Sequence, residues 1–138
     1  MWLDQDEARR RLASARVARL ATVSADGLPH IVPVTFALAA DVIYTAVDDK
    51  PKTTRDLRRL RNIRACPVVA VLADHYDENW TALWWVRADG DASVLDDPAA
   101  LTEPVSLLVS RYRQYAQMPP AGPVIAIRVT RWTGWSAS

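Results

Sequence analysis

The chain has 138 residues, half of them hydrophobic, and a formal net charge of +1 at neutral pH. That size and apolar content suffice for a core, so residues 1–138 read as a single domain, or as one protomer of an oligomer, and not as a disordered segment. The small charge excludes a general nucleic-acid binder, the single cysteine excludes an internal disulfide or a multi-cysteine metal site, and no apolar run approaches the roughly 20 residues that span a bilayer.

In chain order, Asp4 and Glu7 have capping-box spacing, and the alanine- and arginine-rich residues 7–15 predict a short amphipathic helix. Residues 17–23 and 29–36 read as two strands of a hairpin, with Asp26-Gly27 supplying the positive φ of the turn. The second strand is apolar on both parities, yet Pro29 and Pro33 cannot donate ladder hydrogen bonds. It is therefore expected at a sheet edge, beside a ligand or a subunit. Residues 39–41 form the next turn and residues 42–47 the third strand.

Residues 44–64 then look built to hold an anion. The only two lysines, Lys50 and Lys52, flank Pro51 at the mouth of a helix. Thr53 and Asp56 again have capping-box spacing, which fixes where that helix begins. Free N–H groups and partial positive charge at a helix N-terminus suit a phosphate. No Gly-rich loop is present, so this is not a nucleotide P-loop. The plainer alternative is a solvated basic turn.

Residues 68–73 predict a strand after this helical crossover, and residues 74–79 a polar loop. Residues 81–94 predict a long strand bent at Asp89-Gly90, on which Trp84 and Trp85 must face opposite sides. Helical spacing of Leu101, Val105, Leu108, Tyr112 and Tyr115 predicts a helix within 98–117, with Pro104 placing its continuous start near Glu103. Residues 118–123 break it, and 124–132 form the last strand. Helix, three strands, helix, two strands, helix and strand make an α+β protein built on a small antiparallel barrel. Cys66 reads as a small core residue, and neither His30 nor His75 has neighbours that match a metal signature. No metal site is expected, and the protein is expected to be soluble and cytoplasmic.

This arrangement resembles the FMN/F420-binding split β-barrel superfamily that includes pyridoxamine phosphate oxidase. It is more similar to the F420 (deazaflavin)-dependent oxidoreductases of actinobacteria. The carrying residues are Arg19-Leu20-Ala21-Thr22-Val23 with Asp26-Gly27, Pro29-His30-Ile31-Val32-Pro33-Val34, Lys50-Pro51-Lys52-Thr53-Thr54-Arg55, Leu57-Arg58-Arg59-Leu60-Arg61-Asn62-Ile63, Asp74-His75-Tyr76, Leu83-Trp84-Trp85-Val86-Arg87 and Arg131-Trp132-Thr133-Gly134-Trp135.

The resemblance implies a split antiparallel barrel of about six to seven strands with covering helices, and a homodimer with the cofactor at its interface. It places the cofactor phosphate at Lys50, Lys52 and Thr53. The ring system would lie along the backbone of Pro33, Val34 and Thr35 and of Thr45, Ala46 and Val47, with Trp85 approaching from the long strand of one or the other protomer. Arg58, among Arg55, Arg59, Arg61 and Arg64, would place a guanidinium along the acidic F420 tail. Pyridoxamine phosphate oxidases carry arginine and lysine where this chain has His30 and Thr35, which weakens an oxidase reading.

The implied activity is hydride transfer between reduced F420 and a small conjugated acceptor. No catalytic residue is assigned; Tyr44, His75 and Tyr76 are the proton donors considered. The alternatives are an FMN-binding oxidoreductase of the same fold and a non-catalytic F420- or haem-binding protein.

Overall fold

The computed structural model describes residues 1–47 and 55–138, the side chains of residues 55–57 excepted. In chain order the described elements are α1 (Gln5–Ser14), β1 (Ala18–Val23), β2 (Pro29–Val34), β3 (Ala37–Ala39), β4 (Val42–Ala46), α2 (Arg55–Ala65), β5 (Val68–His75), β6 (Trp84–Leu95), α3 (Pro98–Arg111), α4 (Arg113–Gln117) and β7 (Val124–Ser136), with a single 3-10 turn, Trp80–Ala82, before β6. None of the described helices is long and apolar enough to cross a membrane.

All pairings are antiparallel, in the order β2-β1-β5-β6-β7-β4-β3. The two outermost strands, β2 and β3, are separated in the chain only by Thr35 and Phe36. Three residue steps reach at most about 11 Å, whereas the edges of a flat seven-stranded sheet would stand about 29 Å apart. The sheet therefore has to roll until its edges meet. No ladder joins them among the described residues, so the barrel is closed by the chain and left split along that seam.

Alternation along the strands sets the core. Leu20, Val34, Ile43, Val71, Val86 and Ile127 point inward around Phe36 and are buried. Asp4 caps α1 by accepting the Glu7 N–H at 2.8 Å, as its spacing predicted. Glu7 turns its carboxylate to Arg10 and Arg11 instead of back to the cap. Ala8 and Leu12 seat this helix on β6 and β7, while Leu60 and Ile63 seat α2 on β1 and β6. A second cluster, Leu108 and Tyr112 against Ala37, Ala46 and Val124, holds α3 over β3, β4 and the start of β7. The predicted bend in β6 is a bulge: the register with β7 shifts between Asp89 and Gly90, and a Cβ at Gly90 would collide with the Arg128 carbonyl.

Four expectations need correction. Residues 37–39 form a strand of their own, because pairing with residues 42–44 overrides the poor strand propensity of Ala-Leu-Ala. Strand β5 runs on through Asp74 and His75, which the sequence reads as loop, because they pair with Trp85 and Trp84. The third helix starts at Pro98, behind Asp97, and carries Pro104 in its interior with the ring buried; it stops at Arg111, and α4 is a separate short helix. Cys66 is partly exposed after α2 and is not a core residue.

Candidate functional site

The β1–β2 turn and α2 face each other across a groove of about 660 Å³. The turn is stiffened locally. Gly27 takes φ +82° and donates to the Ser24 carbonyl at 2.9 Å, and the Ser24 hydroxyl accepts the Leu28 N–H at 3.0 Å. On α2, Leu60 and Ile63 face the core, so residues three apart on the opposite side, Arg58, Arg61 and Arg64, are exposed together toward the groove. Asn62 anchors the helix by donating from Nδ2 to the buried Thr22 hydroxyl at 3.0 Å. The three arginines make no ion pair among the described residues, and Asp26 is the acid at the rim.

His30 sits opposite Thr22 on β2 and lines the same groove. Its Nδ1 is buried without a hydrogen-bond partner among the described residues. Burial first, then the nearby Arg58 and Arg59 guanidiniums, hold the imidazole below its ordinary pKa of 6.5, so it is neutral at neutral pH. The groove thus joins a row of exposed cations to a neutral ring whose Nδ1 is buried beneath it. That combination fits an anionic chain.

The residues expected beneath a cofactor ring come together at the barrel seam. Since Ala37 pairs with Tyr44, the segments 33–35 and 45–47 flank the seam on either side. Val34, Thr45, Ala46 and Val47 are buried, so their side chains serve the core; Pro33 and Thr35 keep accessible surface. The Thr35 hydroxyl lies 3.0 Å from the Tyr115 hydroxyl, and the Val47 N–H donates to the Pro123 carbonyl at 2.9 Å. Lys50, Lys52 and Thr53, and with them the Thr53–Asp56 capping box, fall outside the described residues.

Trp85 belongs elsewhere within the protomer. It faces outward beside Asp74, at the His75 end of β5, whereas the groove lies at the Val68 end. Six residues of extended chain put roughly 20 Å between them. Of the weakly indicated proton donors, His75 and Tyr76 lie beside Trp85, while Tyr44 packs against α3. No group of three metal-ligating side chains occurs among the described residues.

Sequence reasoning missed the contribution of the β1–β2 turn to the groove, for which the Asp-Gly signal was the available clue. It also missed the two tyrosines at the seam, whose partners lie 76 and 80 residues away.

A family model described as Pyridoxamine 5'-phosphate oxidase matches residues 4–136. No curated protein matches the chain. Among solved structures, a conserved hypothetical protein from Mycobacterium tuberculosis is similar with a TM-score of 0.78 at 23% identity, over 98% of this chain and 86% of that one. A FAD-binding protein from Mesorhizobium loti gives 0.77 at 21% identity, over 97% and 95%. The heme storage protein HutZ from Vibrio cholerae gives 0.72 at 14% identity, over 96% and 93%. At these identities the likeness to the three structures is one of fold.

Proposed function

The chain belongs to the pyridoxamine 5'-phosphate oxidase family, and from that premise we propose that it is an F420-dependent oxidoreductase. It would bind the deazaflavin at a homodimer interface and move hydride between reduced F420 and a small conjugated acceptor. The observation that carries this reading is the row of exposed guanidiniums, Arg58, Arg61 and Arg64, along the groove. F420 ends in a phosphodiester and an acidic oligoglutamate tail, for which a row of guanidiniums is suited; FMN ends in one phosphate. Where pyridoxamine phosphate oxidases carry arginine and lysine, this chain has a half-buried neutral imidazole and a threonine whose hydroxyl is engaged by Tyr115.

In this reading the arginines hold the tail, Lys50, Lys52 and Thr53 hold the phosphate, and the backbone at the seam lines the ring. When bound, F420 supplies the carbon that exchanges hydride. The protein's part is to position that ring and keep water from it. Trp85, on the outer face of the sheet, reaches the cofactor only from the second protomer. That face supports the dimer: Ile31 and Val68 stand 64% and 62% exposed on strands that no helix covers on this side among the described residues.

A second reading, a flavin protein, is favoured by the names of two fold relatives described as FAD-binding, from Mesorhizobium loti and Mycobacterium smegmatis. Titrating the cofactor-free protein in parallel with F420 and FMN, by calorimetry, separates the two. Saturable F420 binding at one per protomer with FMN much weaker is the expected result. FMN preference would move the protein to the second reading, and binding of neither would leave the fold alone.

A further inference from the structure

Thr35 and Tyr115 meet at the barrel seam with their hydroxyl oxygens 3.0 Å apart, although 80 residues separate them in the chain. Both come to the outer side of the sheet. Where the chain steps from β2 to β3, Val34 and Phe36 turn into the core, so Thr35 between them turns out. Tyr115 comes from α4, after the extended Tyr112 has ended α3. Its ring stands edge-on to that of buried Tyr112, with centroids 5.8 Å apart and planes at 86°, which fixes the direction of the phenol.

Counting hydrogens gives this pair its chemistry. Tyr112 commits its hydroxyl to the Phe36 peptide, whereas those of Thr35 and Tyr115 bond only to each other among the described residues. Two hydroxyls carry two hydrogens, and the bond between them uses one. The other is left to donate, from a half-buried place beside the segments expected to line the cofactor ring. A phenol is a stronger acid than an alcohol, so the useful arrangement has Thr35 donating to Tyr115 Oη and Tyr115 donating outward. The other proton donors are worse placed: Tyr44 is packed among the side chains under α3, and His75 and Tyr76 stand at the far end of the sheet.

We propose that Tyr115 is the acid of the reaction, holding the carbonyl oxygen of a conjugated acceptor and giving it a proton, and that Thr35 is its positioning residue. The inference rests on the F420 reading and supplies the proton donor that reading leaves unassigned. Hydride from reduced F420, which is thereby oxidised, forms a C–H bond at the β-carbon of an enone. The alkene electrons move toward the carbonyl, whose π pair settles on oxygen. The Tyr115 hydrogen passes to that oxygen, and the resulting enol becomes the saturated ketone in water. The phenolate, steadied by the Thr35 hydroxyl, takes a proton back from water once the product has left, and the proton released when F420 is oxidised balances it. The pair thus acts where negative charge develops.

The test compares the full chain with Tyr115→Phe, Thr35→Val and Thr35→Ser, each checked for cooperative melting and titrated with F420 by calorimetry. F420 affinity should stay within about threefold, while kcat for cyclohex-2-enone with reduced F420 falls about 100-fold or more in Tyr115→Phe and about tenfold in Thr35→Val, and Thr35→Ser restores it. A second readout needs no turnover. In the complex with oxidised F420, carbon NMR of carbonyl-labelled cyclohex-2-enone should place the bound resonance downfield of its position in Tyr115→Phe, because the phenol polarises the carbonyl. Equal kcat in wild type and Tyr115→Phe, equal carbonyl resonances, or a Thr35→Ser protein as slow as Thr35→Val would overturn the proposal. Loss of F420 binding in Tyr115→Phe would assign the pair to the cofactor and overturn it as well. A wild type that binds F420 but reduces neither cyclohex-2-enone nor menadione would overturn the acid role alone, whereas one that does not bind F420 would remove the reading beneath it too.

Discussion

The hydroxyl of Tyr112 accepts the backbone N–H of Phe36 at 3.0 Å and lies 2.9 Å from the carbonyl oxygen of the same residue. Phe36 is the point at which the chain steps from one edge of the sheet to the other, and among the described residues its peptide groups have no ladder partner. The phenol accepts from the Phe36 N–H and from Arg111 Nε at 3.2 Å, and its own hydrogen is shared between the Phe36 carbonyl and the Arg16 carbonyl, 3.0 Å away. Replacing Tyr112 with Phe leaves the buried N–H of Phe36 unpaired. Urea denaturation should show a loss of about 1–3 kcal/mol with an unchanged slope. Tyr115→Phe should cost less, since half-exposed Thr35 can turn to water.

Gly90 carries the bulge in β6. Gly90→Ala drives a methyl group into the Arg128 backbone, which cannot withdraw as a flexible side chain would. A destabilisation of about 1–3 kcal/mol or more is expected by thermal unfolding. Gly27→Ala meets nothing within 4 Å but keeps a positive φ, and should cost about 1 kcal/mol.

The F420 reading makes two demands on the basic residues. Changing Lys52 to Ala should weaken F420 binding by roughly 1.5–3 kcal/mol, the value of a charge-assisted hydrogen bond. Arg58, Arg61 and Arg64 are exposed, so each change to Gln should cost at most about 1 kcal/mol, and the effect should fade as salt is raised. Unchanged F420 affinity in the triple variant would remove the groove from the cofactor site.

Acid should weaken the fold in two stages. The His30 pKa is lowered by burial and by Arg58 and Arg59, so the folded state resists the proton that the unfolded chain accepts, and stability begins to fall below pH 6.5. The Glu7 carboxyl is held down to about 2 by hydrogen bonds from Arg10 and Arg11. That of Asp41 is lowered by hydrogen bonds from Arg9 and Trp132. Their contributions are present above the ordinary values of 4.5 and 3.8 and are lost as the pH falls through the lowered ones. Melting temperature against pH should therefore show one limb that His30→Gln flattens and a second, at lower pH, that Asp41→Asn flattens.

If the uncovered face of the sheet joins two protomers, a carboxylate there should separate them. Ile31→Asp should convert a dimer to a monomer in sedimentation velocity while leaving the barrel folded. A wild-type protein that sediments as a monomer at micromolar concentration would dismiss the interface.

What could be read from residues alone was what local chemistry controls. The Asp26-Gly27 turn, the Asp4 cap, the bend at Asp89-Gly90 and the edge position of the proline-bearing β2 all depend on a few neighbouring residues, and all appear in the structure. Elements that depend on distant partners were not legible. Ala37-Leu38-Ala39 becomes a strand only beside β4, and Asp74-His75 only beside the tryptophans. At the candidate site Arg58 was named among five arginines of α2, but that Arg58, Arg61 and Arg64 share one exposed face, that the β1–β2 turn closes the groove, and that the His30 Nδ1 has no partner among the described residues all required the fold. The roughly 20 Å between Trp85 and the groove likewise emerges only from strand register.

The place of β7 in the sheet has a consequence for synthesis. It lies between β6 and β4, and among the described residues the ladder from β3 and β4 to the other strands passes through it alone. A nascent chain that has released everything up to residue 123 therefore holds two unconnected sheets, β2-β1-β5-β6 and β4-β3, each with an open flank. Cotranslational folding cannot finish before the last strand clears the ribosome, and until then those flanks are the surfaces on which a chaperone would have most to protect.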